Sequence, residues 1–262
     1  MGLAVKRRGR GEDEGGEGKG PAGGGGVKHI GIVGVSAEGA ALCYRTICTE
    51  GARVMGEHSH PEVTMHTHPL ADYMRHIRRH DWRGVADLML SSARKAAQVG
   101  AAFAISPDNT VHQAFALVEP ESPIPWLHIG RVVAREAEGR RFRRLGILGT
   151  RYLMEGPVYP EALQPAGIAT LTPEPPERAR IDAIIMDELV NGRFLEASRA
   201  YFHDVIAALG RRGCDAVVLG CTEIPLLVRD GEAPLPALDS TRLLARAALR
   251  EAIGASEARR GA

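Results

Sequence analysis

The chain has 262 residues, 44% of them hydrophobic, and its 33 Lys and Arg nearly balance 32 Asp and Glu for a formal net charge of +1. That composition supports an ordinary buried core in one large domain or two small ones, and the balance provides no long-range field for nucleic acid or an anionic membrane. The longest apolar runs, such as residues 101–106 and 216–219, are far short of the ~20 residues a membrane helix needs, so neither partner is expected.

In chain order, 11 of the 31 glycines fall in the first 26 residues, mixed with charges and few apolar side chains. Such a composition does not offset the entropy of ordering, and residues 1–27 are expected to form a disordered tail. No apolar segment follows the early basic residues, so a secretory signal is not expected and a cytoplasmic location is the default. The β-rich run His29-Ile-Gly-Ile-Val-Gly34 then reads as a strand, followed by a helix over residues 40–50. Apolar runs at residues 101–106, 144–148 and 216–220 alternate with helical periods near residues 82–99, 177–191 and 196–212. This alternation predicts parallel βα units.

The two halves also resemble each other. A shift of 115 residues sets His29-Ile-Gly-Ile-Val-Gly34 on Arg144-Leu-Gly-Ile-Leu-Gly149 and Tyr44 on Tyr159, and a shift of 113 sets residues 100–108 on residues 213–221. Asp108 and Cys221 then occupy equivalent places. The expected fold is α/β with two similar lobes, each a parallel sheet flanked by helices, related by a pseudo-twofold axis with the active site between them. Residues 28–125 would form the first lobe, residues 126–237 the second, and residues 238–262 a C-terminal helix packing back on both, with a frayed end.

In open parallel sheets, ligands bind beyond the carboxyl ends of the strands. Asp108 and Cys221 would therefore flank a shared cleft from opposite sides, the arrangement needed to remove a proton from one face of a carbon and return one to the other. A carboxylate is ionised near pH 7 and a thiol is mostly protonated, so the resting pair is already base and acid. Lysines occur only at 6, 19, 28 and 95; three lie in or beside the tail and Lys95 reads as part of a solvated helix face. With no lysine suited to a pyridoxal phosphate Schiff base, the chemistry is expected to need no cofactor. Backbone N–H groups with Asn109, Thr110, Thr150 and Thr222 could instead hold a substrate carboxylate and an enolate-like intermediate.

At these residues the sequence resembles the aspartate/glutamate racemase superfamily, which includes hydantoin racemases, maleate isomerases and arylmalonate decarboxylases. The resemblance spans residues 29–253. It rests most on Leu219-Gly-Cys-Thr-Glu-Ile-Pro-Leu226, which resembles the family's second catalytic cysteine segment, with support from Pro125-Trp-Leu-His-Ile129 and Leu238-Asp-Ser-Thr241. The resemblance implies a small carboxylate or amino acid substrate, no pyridoxal phosphate, a frequent homodimer, and two opposed cysteines that each serve one enantiomer. It also brings Thr67 and Val35 toward the substrate. The first cysteine segment of the family, commonly Cys-Asn-Thr-x-His, here reads Asp108-Asn-Thr-Val-His112, so a carboxylate stands where a thiol is expected. Val35-Ser-Ala-Glu-Gly39 likewise replaces the loop common among aspartate racemases. Three outcomes stay open: an acid/thiol racemase or epimerase, a decarboxylase or cis-trans isomerase using Cys221 alone, and a non-catalytic small-carboxylate binding protein. Arg45, Arg178 and Arg180 are candidates by charge for a substrate's side-chain carboxylate.

Other motifs have simpler readings. His58, His60, His66 and His68 form two His-x-His pairs that could present metal ligands on a strand, but no further ligand set is evident and a strand edge is the expected role. His76 and His80 read as one solvated helix face. Gly31, Gly34 and Gly39 match neither the dinucleotide fingerprint nor a Walker loop. Cys43, Cys48 and Cys214 read as small core residues, and the four cysteines show no zinc or disulfide framework.

Overall fold

The computed structural model describes residues 26–229 and 231–254. Residues 1–25 of the expected tail and the expected frayed end, residues 255–262, lie outside the described residues. The first half runs β1 (Ile30–Gly34), α1 (Ala37–Met55), β2 (Val63–Thr67), α2 (Leu70–Ile77), α3 (Trp82–Gln98), β3 (Phe103–Ile105), α4 (Phe115–Val118), β4 (Trp126–Leu127) and α5 (Ile129–Gly139). The second runs β5 (Arg144–Leu148), α6 (Arg151–Met154), α7 (Val158–Leu163), β6 (Ala169–Leu171), α8 (Pro175–Asp187), α9 (Glu196–Arg211), β7 (Ala216–Leu219), α10 (Ile224–Leu227), β8 (Ala237–Asp239) and α11 (Ser240–Ile253).

Two four-stranded sheets result, ordered β2-β1-β3-β4 and β6-β5-β7-β8, with every pairing parallel. The internal repeat survives at the level of register. Ile30 lies opposite Phe103 in the first sheet and Leu145 opposite Ala216 in the second, the same displacements of 115 and 113 residues read from the sequence. Gly100 and Gly213, paired by that alignment, enter β3 and β7 with φ of 97° and 90°, a conformation that favours glycine. The repeat does not extend to Tyr44 and Tyr159, because Tyr159 is fully buried while Tyr44 is 43% exposed on α1.

The last strand of the first sheet lies just past the expected lobe boundary, and that of the second straddles it. Trp126–Leu127 pairs with β3 and Ala237–Asp239 with β7, so the first sheet reaches two residues beyond 125 and the second two beyond 237. A short fourth strand is what pairs the free edge of β3 or β7.

The inner strands are buried on both faces, which is why they read as unbroken apolar runs. On β7, Ala216 and Val218 point into a core shared by the lobes while Val217 and Leu219 point into the outer core of the second lobe. On β1, Ile30 and Ile32 join the shared core and Val33 the outer core of the first lobe. Helix α11 packs on α1 and α5, and its Arg246 grips Glu50 of α1 through Nε and Nη2, each at 2.9 Å. Local chemistry sets the helix starts. Ser36 and Asp239 accept backbone N–H bonds from Gly39 (3.2 Å) and Arg242 (3.0 Å) at the first turns of α1 and α11, and Glu174 and Glu177 form a capping box with Pro175 at the first position of α8.

Candidate active site

A cleft of about 230 Å³ opens beyond the carboxyl ends of both sheets. The turn after β3 contributes Asp108, Asn109 and Thr110, and the turn after β7 contributes Gly220, Cys221, Thr222 and Glu223. Val35 and Ser36 enter from the end of β1, and Thr150 and Tyr152 from the end of β5. A larger cavity of about 340 Å³, lined by Arg140, Asp239 and Arg242 among others, contains neither Asp108 nor Cys221.

Asp108 is held by its own turn, its Oδ1 accepting the backbone N–H of Val111 at 3.2 Å. Behind it, Asn109 is fixed by a buried network that joins the lobes. Tyr159 donates its hydroxyl to Asn109 Oδ1 at 2.6 Å, Asn109 Nδ2 donates to Ser240 Oγ at 3.0 Å, and Ser240 Oγ donates to the Leu219 carbonyl at 3.0 Å. The Asp108 turn, α7, α11 and the strand leading to Cys221 are thus locked to one another. Thr110 and Thr150 meet across the cleft, their hydroxyls 3.1 Å apart.

The Cys221 side depends on glycine. A Cβ on Gly39, in the first turn of α1, would stand 2.6 Å from Thr222 Cγ2, so only glycine lets the first lobe approach the Cys221 turn this closely. Cys221 donates its S–H to Glu223 Oε2 at 2.9 Å, and Glu223 is 3% exposed.

The electrostatics separate the two groups. Burial pushes Asp108 up to about 6; backbone N–H groups of Val111 and Thr110 pull it down, and the charge of Glu223 adds to the rise. Burial also pushes the Cys221 thiol well above its usual value of 9.0, helped by the charge of Glu223, by the hydrogen bond to it and by the charge of Asp108. Near pH 7 the resting site therefore holds an Asp108 carboxylate and a neutral Cys221 thiol, a base facing an acid.

Asp108, Asn109, Thr110, Thr150, Thr222, Cys221 and Val35 all line the cleft. Thr67 does not. It ends β2 with an exposed side chain, and its Cγ2 lies where a Cβ on Gly34 would fall. The three candidate arginines are also elsewhere. Arg45 lines a separate cavity with Glu38, Arg178 pairs with Glu155 and the Pro173 carbonyl, and Arg180 lies over the Tyr201 ring. Glu223 stood in the quoted motif without an assigned role; its place two residues after Cys221 was the available signal.

The histidines divide between two local settings. His66 bonds Ser92 at 2.9 Å, His68 bonds Ser91 at 3.1 Å, and Lys95 Nζ lies 2.8 Å from His66 Nε2. These contacts tie edge strand β2 to α3. His58 pairs with Glu57, and His60 bonds the Pro61 carbonyl. Among the described residues no group of three or more His, Cys, Asp or Glu could hold a metal ion. His76 bonds Asp81 from α2, whereas His80 lies past the end of that helix at φ 53°, so the two do not share a helix face. Cys43 and Cys214 are buried and Cys48 partly so.

Two similar α/β lobes that close an acid and a thiol between them, each just past the end of an equivalent strand, define the class of fold. The model of the Asp/Glu/hydantoin racemase family matches residues 31–248, and the chain belongs to that family. Among solved structures, a Yersinia pestis protein classed with the Asp/Glu racemases is 30% identical, with 87% of this chain and 100% of that one covered and a TM-score of 0.80. An aspartate racemase homologue from Pyrococcus horikoshii OT3 shares 24% identity over 87% of this chain and 100% of that one at a TM-score of 0.76. The fold extends to glutamate racemase from Aquifex pyrophilus, at 17% identity, 84% and 82% coverage and a TM-score of 0.59.

Proposed function

We propose that the protein is a cofactor-independent racemase or epimerase of an amino acid or related 2-substituted acid, working by proton transfer between Asp108 and Cys221. The observation that carries this reading is the pair itself, a carboxylate raised to about 6 and a thiol raised well above 9.0 on opposite lobes of one cleft. Asp108 takes the α-proton from one face of the bound substrate, leaving the electron pair in a planar, enolate-like intermediate. Cys221 then gives its S–H proton to the other face. Asp108 finishes neutral and Cys221 finishes as a thiolate, and the opposite enantiomer uses the same steps in reverse. Glu223 favours the neutral thiol in the resting state, so nearly every singly protonated pair carries its proton on sulfur.

Thr110, Thr150 and Thr222 offer hydroxyls to the substrate carboxylate and to the developing enolate. Asn109 acts mainly by position, since Tyr159 and Ser240 already occupy its oxygen and one of its N–H groups. Asp108→Asn and Cys221→Ser test the reading in a chiral assay against both enantiomers of an amino acid panel. Each variant should lose at least ~100-fold of turnover, the scale of one positioned acid or base. Retained activity in Asp108→Asn alone would instead favour an enzyme that uses only Cys221.

A further inference from the structure

Part of the lining of the cleft that holds Asp108 and Cys221 is apolar, and it comes from both lobes. Leu70, Met74 and Ile77 line it from α2, at the i, i+4, i+7 spacing that puts three side chains on one helix face. Ile185 and Met186 of α8, with Val190 just beyond it, line it from the second lobe. Leu70 and Val190 are 38% and 44% exposed, so each lobe presents uncovered apolar surface to whatever enters.

Charge is distributed the other way. Asp108 and Glu223 already place two carboxyl groups in the lining of the same cleft, and among the described residues Arg78 is the one cation that lines it. Arg78 stands at the end of α2, exposed to solvent. A substrate with a second carboxylate would bring two negative charges into a cleft that holds two acids, and press a charged side chain against hydrocarbon. An apolar side chain covers that hydrocarbon at no such cost. The volume of about 230 Å³ is below the ~300–1,000 Å³ of most small-molecule sites, which suits one amino acid rather than a peptide.

From these contacts we infer that the substrate is a monocarboxylic 2-amino acid with an apolar side chain of the leucine, methionine or phenylalanine kind, and not aspartate or glutamate. The inference rests on the racemase reading for its chemistry, but on the wall alone for its selectivity. Arg78 belongs to the mouth of the cleft, and the carboxylate at the reacting carbon is left to the threonine hydroxyls.

The test runs each enantiomer of leucine, methionine, phenylalanine, aspartate and glutamate through the same chiral assay, and titrates leucine and aspartate calorimetrically into the same protein. The expected kcat/KM for the best apolar amino acid exceeds that for either acidic one by ~100-fold or more, the discrimination expected when an unpaired charge must enter an apolar site. Met186→Arg, which adds a cation to the half-buried part of the wall, should narrow that ratio by ~10-fold or more. Turnover of aspartate or glutamate at an equal or higher kcat/KM overturns the inference while leaving the racemase reading intact. Should no compound turn over, the racemase reading fails and calorimetry still decides the wall: leucine binding tighter than aspartate supports apolar selectivity, and equal or tighter binding of aspartate, or no binding of leucine, overturns it.

Discussion

Replacing Asp108 with Asn removes a carboxylate that the fold holds against its own preference. Its value of about 6 compares with an ordinary 3.8, a gap of about 2 units at 1.36 kcal/mol each, so about 3 kcal/mol separates the charged carboxyl in the cleft from the same group in the unfolded chain. The folded state binds this proton more tightly than the unfolded state does. The penalty is therefore absent below about pH 4, grows between about pH 4 and 6, and is complete above about pH 7. Because the carboxyl borders an open cleft, water relieves part of it and 3 kcal/mol is the upper limit. An Asn side chain keeps an oxygen for the Val111 N–H and carries no charge. Urea denaturation should find Asp108→Asn more stable than the parent by about 2–3 kcal/mol at pH 8, with the difference shrinking toward zero near pH 4. A variant no more stable at pH 8, or equally stabilised at both pH values, would refute the assignment of a carboxylate whose ionisation the cleft disfavours. Loss of activity alongside the gain would mark Asp108 as a site where function is kept at the expense of stability.

Enantiomers have equal free energy in water, and the Asp108-carboxylate/Cys221-thiol and Asp108-acid/Cys221-thiolate forms carry the same number of protons. The two directions must then share one pH profile of kcat/KM whatever groups act, and the pair is tested by the shape of that profile, an acid limb near pH 6 where Asp108 gains its proton and no alkaline limb below about pH 9; a profile without an acid limb near pH 6 would contradict the pair. Tyr159→Phe leaves Asn109 Oδ1 buried without its donor, which should cost about 1–3 kcal/mol in urea denaturation and lower kcat, whereas a change within about 0.5 kcal/mol would mean the network does not lock the lobes. Gly39→Ala drives a methyl into Thr222 and should reduce kcat/KM by ~10-fold or more, with partial rescue by Thr222→Ser, since a displaced catalytic turn loses rate steeply.

Much of this was legible because the chain repeats itself. Sequence offsets alone pair Gly31 with Gly146 and Asp108 with Cys221, and the strand registers of β1 with β3 and of β5 with β7 reproduce those offsets. The four outer strands were harder to read. Three of them are very short, β4 with two residues and β6 and β8 with three each, too few for a period-2 pattern to emerge. Lobe boundaries therefore fell just before β4 and on the first residue of β8. Asp108, Cys221 and the threonines beside them lie on turns with distinctive local sequence, so their meeting at one cleft could be read from the sequence. The apolar wall could not, because Leu70, Met74, Ile77, Ile185 and Met186 belong to helices whose apolar residues mostly serve the core, and only tertiary structure tells which of them face a cleft. Thr67 lies outside the cleft lining for the converse reason: its side chain at the end of β2 is taken up against Gly34 of neighbouring β1, which only tertiary structure reveals.

In the proposed mechanism two groups on opposite faces of the substrate carry the proton out and in. It is tested most directly by running the reaction in D₂O from each enantiomer separately and analysing both at low conversion. The inverted product should carry deuterium at its α-carbon from the first turnovers while recovered substrate keeps its protium, whichever enantiomer is the start. Product that retains the substrate's own proton, or deuterium entering the substrate without inversion, would show one base serving a single face and would contradict it.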